Sequence, residues 1–127
     1  MNKFQSVRIL PDDFSICRLP PESKCPDLSE LSFFSVTRTL EEISIIIPSA
    51  VEIEGAKVES GWKALTLVGE IPFDLTGILL ELIRPLSGNH IGIFALSTFN
   101  TDYVLIKEKH LSLAKQVLEE SGYSFLS

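Results

Sequence analysis

A polar loop with one glycine, an amphipathic helix and two strands follow one another between residues 69 and 107, and that order constrains the fold most. The stretch reads GEIPFDLTGILLELIRPLSGNHIGIFALSTFNTDYVLIK. Ile78, Leu79, Leu82, Ile83 and Leu86 share one helical face, with Glu81 and Arg84 opposite, which predicts a helix over 75–87. Asp74 or Thr76 is placed to cap its start, Pro85 strains its last turn, and Gly88-Asn89 stops it. Residues 91–97 and 103–107 read as strands about the turn Thr98-Phe99-Asn100-Thr101-Asp102. This order leaves one good mouth for a small polar ligand, formed by the loop Asp74-Leu75-Thr76-Gly77 and that turn.

The flanking segments complete a unit. WKALTLV at 62–68 alternates as a strand, and 109–121 is a second helix with Leu111, Ala114, Val117 and Leu118 on one face and Gly122 at its end. Residues 123–125 return as a final strand. From Trp62 onward the order is β-α-β-β-α-β, the ferredoxin-like split unit, an antiparallel sheet with both helices on one face and an α+β fold.

Upstream, 4–10 and 14–19 suit two strands separated by turn chemistry at Pro11-Asp12-Asp13. Pro20, Pro21 and Pro26 make a loop that no helix crosses, and Asp27 caps a single helical turn over 27–30. Strands follow at 33–38 and 43–47 around the turn Thr39-Leu40-Glu41-Glu42. The second strand is almost wholly β-branched, as in one buried on both faces. A short edge strand at 51–53 and turns at Gly55 and Gly61 precede Trp62.

Residues 33–46 lie on 93–106 without a gap, sixty positions apart. Phe34 falls on Phe94, Val36 on Leu96, Thr37 on Ser97, Glu42 on Asp102 and Ile46 on Ile106. The repeat implies two tandem units, a shortened one over 1–60 and a full one over 61–127. The proline loop displaces the first unit's first helix, and the chain between Pro48 and Trp62 is too short for a second helix and a last strand.

The formal charge is −6 and the pI about 4.9. Lys107, Lys109 and His110 are the densest cationic group, and Glu108 interrupts them, so no phosphate-neutralising face exists and nucleic acid is excluded as a partner. Cys17 and Cys25 match no metal spacing, and no metal or cofactor is expected. A disulfide between them is open, with two free thiols in a reducing cytoplasm the better reading. The N-terminus does not read as a signal peptide, and no apolar run approaches the ~18 residues of a membrane span. Asp12-Asp13 and Glu119-Glu120 read as solvated pairs, neither His90 nor His110 has a relay partner, and no glycine-rich phosphate loop is present. These features describe a cytoplasmic binding protein with no catalytic residues.

A free amino acid is a zwitterion, so its site needs N–H donors for the carboxylate and an acid for the ammonium. A helix start supplies the donors, Gly77 lets a ligand approach the backbone, and Asp74 or Asp102 takes the ammonium. Phe99 covers an apolar stem or stacks on a guanidinium. Each residue also has an ordinary role: Asp74 as a plain cap, Gly77 for tight helix-to-sheet packing, Thr98 and Thr101 as turn formers.

TRTLEEISIII at 37–47, GW at 61–62 and FDLTGILLELIRPLSGNHIGIFALSTFNTDYVLI at 73–106 resemble the ACT domain. The likeness is to the tandem type related to the CASTOR arginine sensors and the regulatory part of aspartate kinase, and it extends over essentially the whole chain. It implies ferredoxin-like βαββαβ units in tandem, no catalytic activity, and an amino acid bound between adjacent units. The positions that carry over are Asp74, Leu75, Thr76, Gly77, Ile78, Ser97, Thr98, Phe99 and Asp102. It further implies a homodimer joined side by side and an unidentified regulated protein, since no kinase or dehydrogenase is attached. The alternative is an interaction module of the same fold that has lost its ligand. An enzyme is third, because fold alone does not exclude one.

Overall fold

The structure is a computed structural model and describes residues 6–68 and 77–126. The elements are β1 (Ser6–Leu19), β2 (Ser35–Arg38), β3 (Ile43–Pro48), β4 (Lys57–Leu67), α1 (Ile78–Gly88), β5 (Ile93–Ser97), β6 (Asp102–Lys107), α2 (Leu111–Glu120) and β7 (Ser124–Leu126), with a 3-10 turn at Glu108–His110 before α2. Two compact units result, a helix-bearing one of Met1–Pro11 with Lys63–Ser127 and an all-strand one of Asp12–Trp62.

In the helix-bearing unit the strand order is β7-β1-β4-β6-β5. Leu82 and Leu86 of α1 and Ala114, Val117 and Leu118 of α2 form one apolar cluster with Leu65, Leu67, Val104, Ile106 and Val7. The strand members alternate, so they share one face, and both helices lie on it as expected. The ferredoxin-like pattern is extended by one strand. β1 lies between β4 and β7, running parallel to β7 with Val7 opposite Phe125, while Val68 N donates to Ser6 O at 2.9 Å. Val7, fully buried, is the apolar residue that lets β1 join this sheet.

Pro11-Asp12-Asp13 does not reverse the chain, contrary to the expectation from its turn chemistry. β1 runs straight through, pairing with β7 up to Arg8 and with β3 from Phe14. Proline's missing N–H is harmless where the strand changes neighbour, and the two aspartates point to solvent.

In the all-strand unit, β1 pairs antiparallel with β3, and β3 with β2. Cys17, Leu19, Ile43, Ile45, Ile47 and Leu28 make its core, and Leu31, Val51, Ile53 and Ala56 pack on it. No helix is present there among the described residues. Asp27 accepts from Ser29 N at 3.0 Å and from Ser29 Oγ at 2.7 Å, which makes an Asx turn where one helical turn was expected. Residues 51–53 are not a strand either. Ser49 N donates to Asp13 O, Val51 N to Pro48 O and Ala56 N to Ile53 O, so the backbone is spent on turns. Gly61 lies inside β4 with φ 82, a left-handed residue within the strand in place of the expected turn.

The hairpins of the two units are built alike but offset from the gapless repeat. Ser97 faces Asp102 across β5–β6, and Arg38 faces Ile43 across β2–β3. Thr98 N donates to Thr101 O at 2.8 Å, and Thr39 N to Glu42 O at 2.9 Å. Ile43 therefore takes the place of Asp102, and Glu42 that of Thr101. Alternating strands look alike at neighbouring registers, whereas turn hydrogen bonds fix only one.

Candidate functional site

The candidate residues Asp74, Leu75 and Thr76 lie outside the described residues. Gly77, Ile78, Ser97, Thr98, Phe99 and Asp102 lie in the helix-bearing unit.

Gly77 is the residue from which α1 starts, and its carbonyl accepts from Glu81 N at 2.8 Å. Its φ is 83, a left-handed conformation that side chains disfavour. A Cβ built there meets no atom of the described residues within 4 Å. Tight helix-to-sheet packing is therefore not the reason for this glycine; the backbone conformation is. Ile78 opens the helix, where the first amides have no carbonyl partner within it.

Across β5–β6, Ser97 Oγ donates to Asp102 Oδ1 at 2.5 Å. Asp102 is half-buried and makes no ion pair among the described residues. Its carboxylate is oriented by a hydroxyl and keeps acceptor sites for an incoming cation. The turn beside it is locked: Thr98 Oγ1 donates to Thr101 O at 3.1 Å and accepts from Thr101 N at 3.3 Å. Phe99 stands at its tip, 78 % exposed.

Two further bonds tie this turn to the end of β4. Thr66 Oγ1 donates to Asp102 O at 2.9 Å, and Thr101 Oγ1 to Leu67 O at 3.5 Å.

Both cysteines are free, Cys17 in the core and Cys25 half-buried. Burial pushes the Cys17 thiol up. Among the described residues no three His, Cys, Asp or Glu side chains are grouped to hold a metal. No helix there is long and apolar enough to cross a membrane.

Sequence reasoning missed a second feature. In the all-strand unit a cleft of about 650 Å³ opens between Ser15, Ser49, residues 51–54 and Val58. Its one sequence signal was the weak, mixed pattern between Ser49 and Gly61.

Residues 57–120 match the ACT domain family. The chain belongs to that family. Among curated proteins, it is 31 % identical over 101 residues to the human putative protein CASTOR3P, covering 68 % of this chain and 61 % of that one. It is 28 % identical over 117 residues to the human cytosolic arginine sensor for mTORC1 subunit 1, covering 80 % of this chain and 32 % of the sensor. The chain thus spans from about three fifths to about one third of these relatives.

Among solved structures, protein Atu0741 from Agrobacterium tumefaciens is 35 % identical with a TM-score of 0.87, covering 95 % of this chain and 91 % of that one. The regulatory subunit of aspartate kinase from Thermus thermophilus shares the fold at a TM-score of 0.67 and 9 % identity, covering 91 % and 96 %. The likeness to CASTOR-type sensors and to aspartate kinase regulatory domains expected from the sequence is therefore found.

Proposed function

We propose that this chain is an amino-acid-binding regulatory or sensing domain with no catalytic activity of its own. The Ser97–Asp102 pair carries the reading. It is an oriented carboxylate with no ion pair among the described residues, beside a locked turn that is tied to the end of β4. The carboxylate takes the ammonium, the amides at 77–78 take the carboxylate, and Phe99 covers the stem. The sequence resemblance adds Asp74, Leu75 and Thr76 as ligand-binding candidates. The working form is a cytoplasmic homodimer, in which a second subunit supplies the facing wall, and it acts on a regulated protein.

The curated relative named above is an arginine sensor, which makes arginine the first ligand to try. Isothermal titration against the twenty amino acids tests the reading, since a site worth about −8 kcal/mol binds at micromolar concentration. Asp102→Ala removes a charged hydrogen-bond acceptor worth ~1.5–3 kcal/mol and weakens binding by roughly ten- to a hundredfold. Silence with every amino acid, in heat and in melting temperature, refutes it.

One observation favours the second reading, a module that works by contact alone. Leu40 and Phe99 occupy the same position of the two turns and are 98 % and 78 % exposed. That reading predicts self-association in sedimentation with no amino-acid response.

A further inference from the structure

We propose that the all-strand unit holds a separate site for an aliphatic amine cation, in the cleft floored by Ser15 and Ser49. Its volume of about 650 Å³ is that of a small-molecule site. The loop across it is anchored at its start by Ser49 N to Asp13 O and closed into a turn by Ala56 N to Ile53 O.

The floor is polar where the sheet is otherwise apolar. Ser15 pairs with Ile47 and is 3 % exposed, on the face that carries Cys17 and Ile45. A buried hydroxyl is costly unless hydrogen-bonded. Ser15 Oγ donates to Ser49 Oγ at 3.2 Å and retains lone pairs that an ammonium can use.

Val51, Ile53 and Val58 give the wall aliphatic surface, Ser60 adds a hydroxyl, and Glu52 and Glu54, both exposed, supply charge at its rim. Neither glutamate makes an ion pair or hydrogen bond among the described residues. Among the described residues no lysine, arginine or histidine lines the cleft; Lys24 lines an adjoining one that shares Glu52 and Glu54. A ligand carboxylate or phosphate finds no cation here, and the unit has no described helix start to offer amides. The lining therefore selects an amine without a carboxylate, a chemistry unlike that of the Asp102 mouth.

The test is an amide ¹H–¹⁵N titration of the whole chain with 1,4-diaminobutane, and with 1,4-butanediol as its uncharged counterpart. The expected result is saturable shifts at Ser15 and 49–54, a Kd at or below about 1 mM, and no response to the diol. Glu52→Gln with Glu54→Gln raises that Kd about tenfold or more. Val58→Lys, at a position 53 % exposed, leaves the fold intact and closes the cleft to the diamine. No saturation by about 10 mM, shifts centred elsewhere, or a Kd unmoved by the glutamine pair overturns the proposal. The readout lies at 49–54, so it is independent of whether 97–102 binds an amino acid.

Discussion

Gly77→Ala separates backbone conformation from packing at the candidate mouth. With φ at 83 and no atom of the described residues within 4 Å of a built Cβ, the cost of the added methyl is conformational. Holding a non-glycine residue left-handed costs ~1–2 kcal/mol. Unfolding entropy of roughly 2.1 cal/mol/K per residue converts that cost, for 127 residues, into a fall of about 4–7 °C in Tm. Gly55→Ala and Gly61→Ala share the conditions, with φ of 81 and 82 and open space, and calibrate the scale. Asparagine tolerates this conformation better, so Gly77→Asn recovers most of the Tm. If a ligand also needs close approach to the backbone, Gly77→Asn does not recover amino-acid affinity. Calorimetric melting and titration of the same variants read both effects. A Gly77→Ala Tm within about 1 °C of the native value, with Gly55→Ala and Gly61→Ala clearly lowered, refutes the conformational account.

Leu82→Ala empties a fully buried position between α1 and the sheet and costs ~2–5 kcal/mol in denaturant unfolding, whereas Leu113→Ala, 40 % exposed, costs under about 0.5 kcal/mol. Iodoacetamide labels Cys25 in the folded protein and reaches Cys17 only after unfolding, because Cys17 is 2 % exposed and its thiol is pushed up by burial; peptide mass mapping checks the order. Burial, and secondarily Glu81, raise the Tyr123 phenol, so the fold favours its protonated form. Its stabilisation is complete below about pH 10, the unfolded value, and is lost as pH rises through the higher folded one. Tyr123→Phe makes the alkaline fall in Tm shallower.

The helix-bearing unit was legible because its signals are periodic and local. Leu82 and Leu86 repeat at helical spacing, Val104 and Ile106 at strand spacing, and Gly122 ends α2 with φ 98. Partner choice was not legible. Nothing in residues 6–19 announces that one half of a strand pairs with β7 and the other with β3, because pairing is settled by distant residues. The end of α1 shows the same limit. Gly88-Asn89 is a stop signal, yet the left-handed residue is His90, φ 60, and Ile91 N closes on Leu86 O at 3.0 Å. Of the candidate site, Ser97 and Asp102 were legible as a hydroxyl and an acid flanking a turn. Their direct hydrogen bond required the register.

That register also decides how many amino acids one chain can hold. On the gapless repeat Glu42 is the counterpart of Asp102, so a second mouth in the other hairpin would take its acid from there. Turn hydrogen bonds assign Ile43 to that place, and it is fully buried. Opposite it, where the other hairpin has Ser97, stands Arg38, whose guanidinium donates to Pro21 O at 2.8 Å and Ser23 O at 3.3 Å. The all-strand hairpin thus has no acid at the required position, and its cation is occupied in holding the proline loop. It cannot form a second ammonium site. The expected stoichiometry is one amino acid per chain, with affinity unmoved in Glu42→Ala and weakened roughly ten- to a hundredfold in Asp102→Ala. Two ligands per chain, or an equal loss in both variants, would mean that the two hairpins are equivalent sites after all.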